Sequence, residues 1–209
     1  MIRPPASESD PRFDAALNGL HRGDFDGLAP LFFPDPGRPV ESSQIIQWHA
    51  AGRFRTDPIA LAEALTCASF LGATDVAQYL LQAGVDPATG SGTGMDALHW
   101  AVNRGQLKAT TLLLKWGAPL EVRNMHGTTV LGTAVWSALN EARPEHAQII
   151  EELLKAGARV EDLKSPAAYV EGRLRRLFLK RRLRQIESIL RVGRPIKPLQ
   201  PSSGMDKSG

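Results

Sequence analysis

The sequence predicts an all-α solenoid of stacked helix-turn-helix units, and three observations carry that reading. One helix-ending phrase recurs: "QYLLQAG" closes at Gly84, "LLLKWG" at Gly117, "EELLKAG" at Gly157 and "ESILRVG" at Gly193. These glycines are 33, 40 and 36 residues apart, so a unit of about 33 residues repeats with two insertions. A further glycine stands twelve residues before each of the first two stops, at Gly72 and Gly105, and divides the unit into two short helices. In every phrase, apolar residues three and four positions before the glycine mark one buried face. The glycine ends the helix because, without a side chain, it enters the left-handed conformation freely. Such short helices bury their apolar faces only when units stack.

Taken in order, residues 1–9 are polar, have no periodic face and are expected to be disordered. Asp10-Pro11 starts a helix, an N-cap followed by a favoured first residue. Phe13, Ala16, Leu17 and Leu20, then Leu28, Leu31 and Phe32, make residues 10–35 a capping helix pair split at Gly23. Residues 36–56 are an insertion in which "SSQIIQWHAAGRF" forms a short extra helix from Ser43, resting Ile46 and Trp48 on the array. Asp57-Pro58 starts the next helix, and residues 57–161 hold three full units. Ser165-Pro166 opens a C-terminal capping unit, 165–197, which carries a basic helix, and 198–209 is a second polar tail expected to be disordered.

The best copy, residues 91–123, contains "GMDALHWAVNRGQLKATTLLLKWGAPL" with Leu98, His99 and Ala101, then Gly105, Leu112 to Leu114, and Gly117-Ala118. It resembles the ankyrin repeat family, whose unit of two helices and a turn carries the signature Thr-Pro-Leu-His-x-Ala. Asp96 and Ala97 replace the Thr-Pro pair, and an Asp caps a helix as Thr does. The copy at 124–161 keeps Gly127, Thr129, Leu131, Ala134 and Gly157-Ala158, but Gly132 replaces the signature His. Its seven extra residues fall between the helices, around "LNEARPE". The copy at 57–88 keeps Leu65, Ala68, Gly72, the Leu80-Leu81 pair and "GVDP".

The resemblance implies that His99 links neighbouring turns, that Trp100 takes an interior position, and that Trp136 faces the concave groove from the end of a first helix. It places Met125, His126 and Thr128 on the adjacent loop, with Met95, Asn103 and Arg104 from the preceding unit. These seven residues form the expected partner-binding groove. Two placements of Trp136 stay open, free in the groove or covered by the insertion that follows it. Trp48 is expected to anchor the inserted helix, and Trp116 to lie over a turn. The family implies a noncatalytic module that binds a protein partner through its groove and inter-repeat loops.

Composition agrees with a folded soluble chain, at 43% apolar and 22% charged residues. No run approaches the roughly 18 apolar residues of a membrane span, and the N-terminus lacks the apolar core of a signal peptide, so a cytoplasmic chain is expected, acting as a monomer. Cys67, the only cysteine, lies on an apolar helix face and reads as a small buried side chain. His21, His49, His99, His126 and His146 fall in different units without metal-ligand spacing. "TGSGTGMD" has glycines but no following Lys-Ser/Thr, and there is no G-x-S-x-G. We therefore expect no enzyme activity, no metal and no cofactor. Charge is uneven: residues 173–184 hold seven basic residues, Arg173, Arg175, Arg176, Lys180, Arg181, Arg182 and Arg184, and no acid, in a chain of net charge +3. This is the solvated face of a cap, a surface for an acidic protein partner or, as an alternative function, a surface for nucleic acid or acidic membrane.

Overall fold

The computed structural model describes residues 10–90, 92–141, 143–160, 163 and 180–192. Three helix pairs form its centre: α4 (Pro58–Leu71) with α5 (Thr74–Gln82), α6 (Ala97–Asn103) with α7 (Leu107–Lys115), and α8 (Val130–Asn140) with α9 (His146–Lys155). Ahead of them lie α1 (Pro11–Arg22), α2 (Ala29–Phe32) and α3 (Gln44–Ala50), and after them α10 (Lys180–Val192). The only extended pairing among the described residues is an isolated antiparallel bridge between Arg123 and Thr129.

Side-chain caps start the first helices. Asp10 accepts the N–H groups of Arg12 and Phe13 at 3.0 and 3.2 Å, Asp57 that of Ala60 at 2.9 Å, and Asp96 that of His99 at 2.8 Å. Each satisfies donors that the helix itself leaves unpaired. Gly72 ends α4 at φ 76°, and a Cβ there would lie 2.4 Å from Gln106 Oε1. The left-handed backbone angle therefore favours glycine at this stop, and any larger residue would also have to displace the Gln106 side-chain amide.

First helices α1, α4, α6 and α8 stack in one layer, while α3, α5, α7 and α9 form the second; α10 packs on α8 and α9. Because α4 has neighbours on nearly every side, its small residues Ala60, Ala64, Cys67 and Ala68 are all buried. One continuous core runs from Phe13 to Leu190 and includes Leu65, Leu98, Leu113, Leu131 and Ile149, none exposed by more than 1%.

The helix expected after Gly23 is cut short, as a 3-10 turn at Phe25–Leu28 running into the single turn of α2. Gly27 lowers helix propensity there, and Pro34 forces Phe33 into an extended conformation. In the second layer the neighbour of α5 is instead α3, from the inserted segment. Its Ile45, Ile46 and Trp48 are buried, Ser43 Oγ donates to the Leu31 carbonyl at 3.0 Å, and Trp48 Nε1 donates to Asp10 Oδ2 at 3.2 Å. Among the described residues no helix is long and apolar enough to cross a membrane. Both tails, the Ser165-Pro166 helix start, and Arg173, Arg175 and Arg176 lie outside the described residues.

Candidate partner-binding groove

Two loops lead into α6 and α8, and each is held by residues of the helix layer. In the first, Glu63 of α4 accepts the Gly92 N–H through Oε1 at 2.7 Å, and Thr66 Oγ1 donates to the Gly90 carbonyl at 2.8 Å. In the second, Asn124 Oδ1 accepts the N–H groups of His126 and Thr128 at 2.9 and 3.0 Å, while its Nδ2 donates to Thr133 Oγ1 at 3.2 Å. That pattern is an Asx-type turn, in which the side chain replaces a backbone partner. Met125 N–H donates to the Gly94 carbonyl at 2.9 Å and couples the loops. His99, fully buried, adds a second link: Nε2 donates to the Thr128 carbonyl at 3.1 Å, and Nδ1 lies 3.0 Å from Asp96 Oδ1.

Between these loops and the first-helix layer lies a concave cavity of about 660 Å³. Six of the seven groove residues named from the sequence line it: Met95, Asn103, Arg104, His126, Thr128 and Trp136. Met125 does not; it is 69% exposed, with its sulfur packed against Gly94. Met95 is mostly buried, and Asn103 is already engaged, donating Nδ2 to Ser137 Oγ at 3.1 Å. Trp136 stands 37% exposed. The insertion leaves it uncovered because part of the added length extends the helix, giving α8 11 residues against 7 in α6.

The other lining residues are Asp26, Phe70, Trp100, Asn124, Thr133 and Glu141. Trp100, expected inside, is only partly buried and forms a wall of the cavity, edge-on to Phe70 at 5.0 Å and to Phe25 at 6.1 Å. Its place next to His99 on α6 turns it about 100° from the core, towards the groove. Phe70 stands two residues before Gly72 as Asn103 stands two before Gly105, so the repeat register pointed to it. Nothing in the sequence pointed to Asp26, which arrives from the degenerate N-terminal segment. Arg104 lies over the Phe70 ring, 4.4 Å from its centroid, and among the described residues has no carboxylate within ion-pair distance. Trp116, 41% exposed, is not among the lining residues.

Residues 64–163 match the family model for ankyrin repeats in three copies. Residues 64–163 belong to the ankyrin repeat family. The chain is 32% identical over 171 residues to the human ankyrin repeat and SOCS box protein 16, an alignment covering 77% of this chain and 34% of that relative. The chain thus spans about a third of that protein's length. Ankyrin repeats are generally protein–protein interaction modules, and the family is typically noncatalytic.

Of the basic residues on the final helix of this ankyrin array, Lys180, Arg181 and Arg182 contribute backbone to α10, and Arg184 is exposed. Ile186 and Leu190 bury the opposite face.

Glu63 gives the ankyrin array a pH response at the root of its first loop. It is 1% exposed, and its Oε2 has no hydrogen-bond partner among the described residues. Burial pushes its pKa up to about 7, against the downward pull of the Gly92 N–H, His21 and the Thr93 N–H. The unfolded chain releases this proton near pH 4.3, so the folded state holds more protons between about 4.3 and 7. Stability is then greatest below that window and falls as pH rises through it. Glu63→Gln keeps an acceptor for Gly92 and removes the charge. Urea melts at about pH 5 and about pH 8 should show the wild type losing stability relative to Glu63→Gln as pH rises, a difference in which contributions from other groups cancel.

Proposed function

We propose that this chain is a noncatalytic adaptor that holds a segment of a partner protein in the cavity between its loops and first helices, acting as a cytoplasmic monomer. The supporting observation is the convergence, on one concave surface, of a partly exposed Trp136, the aromatic wall of Phe70 and Trp100, and an Arg104 without an ion-pair partner among the described residues. Large aromatics and arginines dominate binding energy at such surfaces, and a concave, mostly apolar site with a few polar groups suits an anchored side chain. The free, buried Cys67 suits a reducing compartment.

The amphipathic α10 favours a second reading, in which exposed basic side chains such as Arg184 contact nucleic acid or acidic membrane. Immobilised chain incubated with lysate across a salt series separates the two. The groove reading expects a discrete protein retained at moderate salt. The basic-helix reading expects binding to mixed nucleic acid or acidic vesicles that falls steeply with salt, with a shallower slope after Arg182→Gln and Arg184→Gln. If nothing binds vesicles or nucleic acid at low salt, the helix face is only solvated.

A further inference from the structure

His146 opens α9 directly after the inserted segment and is buried, with 1% exposure. The Arg143 N–H donates to its Nδ1 at 3.0 Å, so that nitrogen carries no proton. Its Nε2 therefore carries one and donates to the Asn103 carbonyl at 3.3 Å. A neutral imidazole thus clasps two neighbouring units, its own loop and the end of α6. Asn103 and Arg104 at that end line the cavity. A proton added at Nδ1 would set N–H against N–H and place a positive charge at a helix N-terminus, where the helix dipole opposes it.

We propose that the insertion makes the groove pH-gated: on acidification His146 ionises, the imidazolium turns away from the Arg143 N–H and the helix N-terminus towards solvent, its Nε2 bond to the Asn103 carbonyl is lost with that movement, and the end of α6 that forms one side of the cavity is released. The gate itself is a property of the free chain, while its consequence for a partner rests on the groove reading above. The groups around the imidazole fit this device. Burial, and then the Arg143 charge, hold its pKa below the ordinary histidine value, against the Asn103 and Val102 carbonyls and Glu145. From α8 comes the uncharged Ala138, and from α10 come Gln185 and Ile186, with Arg184 and Glu187 as their charged sequence neighbours. Arg104 adds a further positive charge at the end of α6. Because the unfolded chain protonates this histidine near pH 6.5 and the folded chain resists, stability contributed by the clasp is present above about 6.5 and declines as pH falls through the depressed value.

The test is an NMR titration of the free chain from about pH 7.5 to about 5, in a His126→Gln background that silences the histidine lining the cavity. The imidazole of His146 and the four tryptophan indole N–H signals are followed. The expected result is a His146 midpoint below about 6.5, with the Trp100 and Trp136 signals shifting at that midpoint while Trp48 and Trp116 stay still. In His146→Gln the shift is lost. Trp100 and Trp136 signals that ignore the His146 titration, or that move identically in His146→Gln, overturn the gate. Should His146→Gln fail to fold, coincidence of the midpoints in the His126→Gln protein alone decides. A partner held through Trp136 with equal affinity at about pH 5.5 and 7.5 refutes the gate and leaves the groove reading intact. Gated indole signals without any groove partner do the reverse.

Discussion

Leu113→Ala lowers the stability of the whole array by about 2 to 5 kcal/mol. Leu113 is fully buried at the centre of the Leu112 to Leu114 run, on a helix that packs against α5, α6 and α9. Truncation removes apolar contacts shared by three units, and the stacked helices cannot collapse onto the void without moving their neighbours. Because each repeat is stable only through its interfaces, the loss registers in the global transition. Urea unfolding followed by helix signal measures it. Met125→Ala, on the exposed loop tip, stays within about 0.5 kcal/mol of wild type in the same assay. A Leu113→Ala protein of wild-type stability would contradict the stacked-unit account.

Trp136→Ala has the largest expected effect on binding. A central aromatic anchor loses on the order of 2 kcal/mol or more when truncated, about thirtyfold in affinity. The side chain is partly exposed beside the cavity, and the apolar core residues of α8 are Val130, Leu131, Ala134, Val135, Ala138 and Leu139 instead. Helix signal and melting temperature should therefore remain near wild type while partner capture falls. Calorimetry with the captured protein and a parallel thermal melt give both numbers. A variant that melts many degrees lower shows Trp136 to be core; one that binds unchanged shows it to be a bystander.

The fold was legible because its determinants repeat. Gly72 and Gly105 each end a first helix, and Asp10, Asp57 and Asp96 each cap one, so a single local rule is confirmed several times in one chain. Where the pattern degenerates, local rules compete. Gly27, Pro30 and Pro34 shortened the helix after Gly23, and α3, which looked like an added decoration, became the second-layer neighbour of α5. Groove geometry was partly legible for the same reason. Register carried Asn103, Arg104 and Trp136 to one surface, and Phe70 was available from the same register. Asp26 was not, since it reaches the cavity from outside the periodic segment. Nor did the sequence reveal the clasps of Glu63 and His146. Each depends on a hydrogen bond across 29 and 43 residues respectively, and a buried polar side chain looks the same in sequence as a solvated one.

The central claim is that the cavity walled by Trp100 and Trp136 is where this ankyrin array holds its partner. Amide hydrogen exchange on the free chain and on the chain bound to the captured protein tests it most directly. Added protection is expected at residues 92–104 and 124–141 and around the lining residues Asp26 and Phe70, with α5, α7, α9 and α10 unchanged. Protection that instead falls on α10, or on the outer helices α5 and α7, would contradict it.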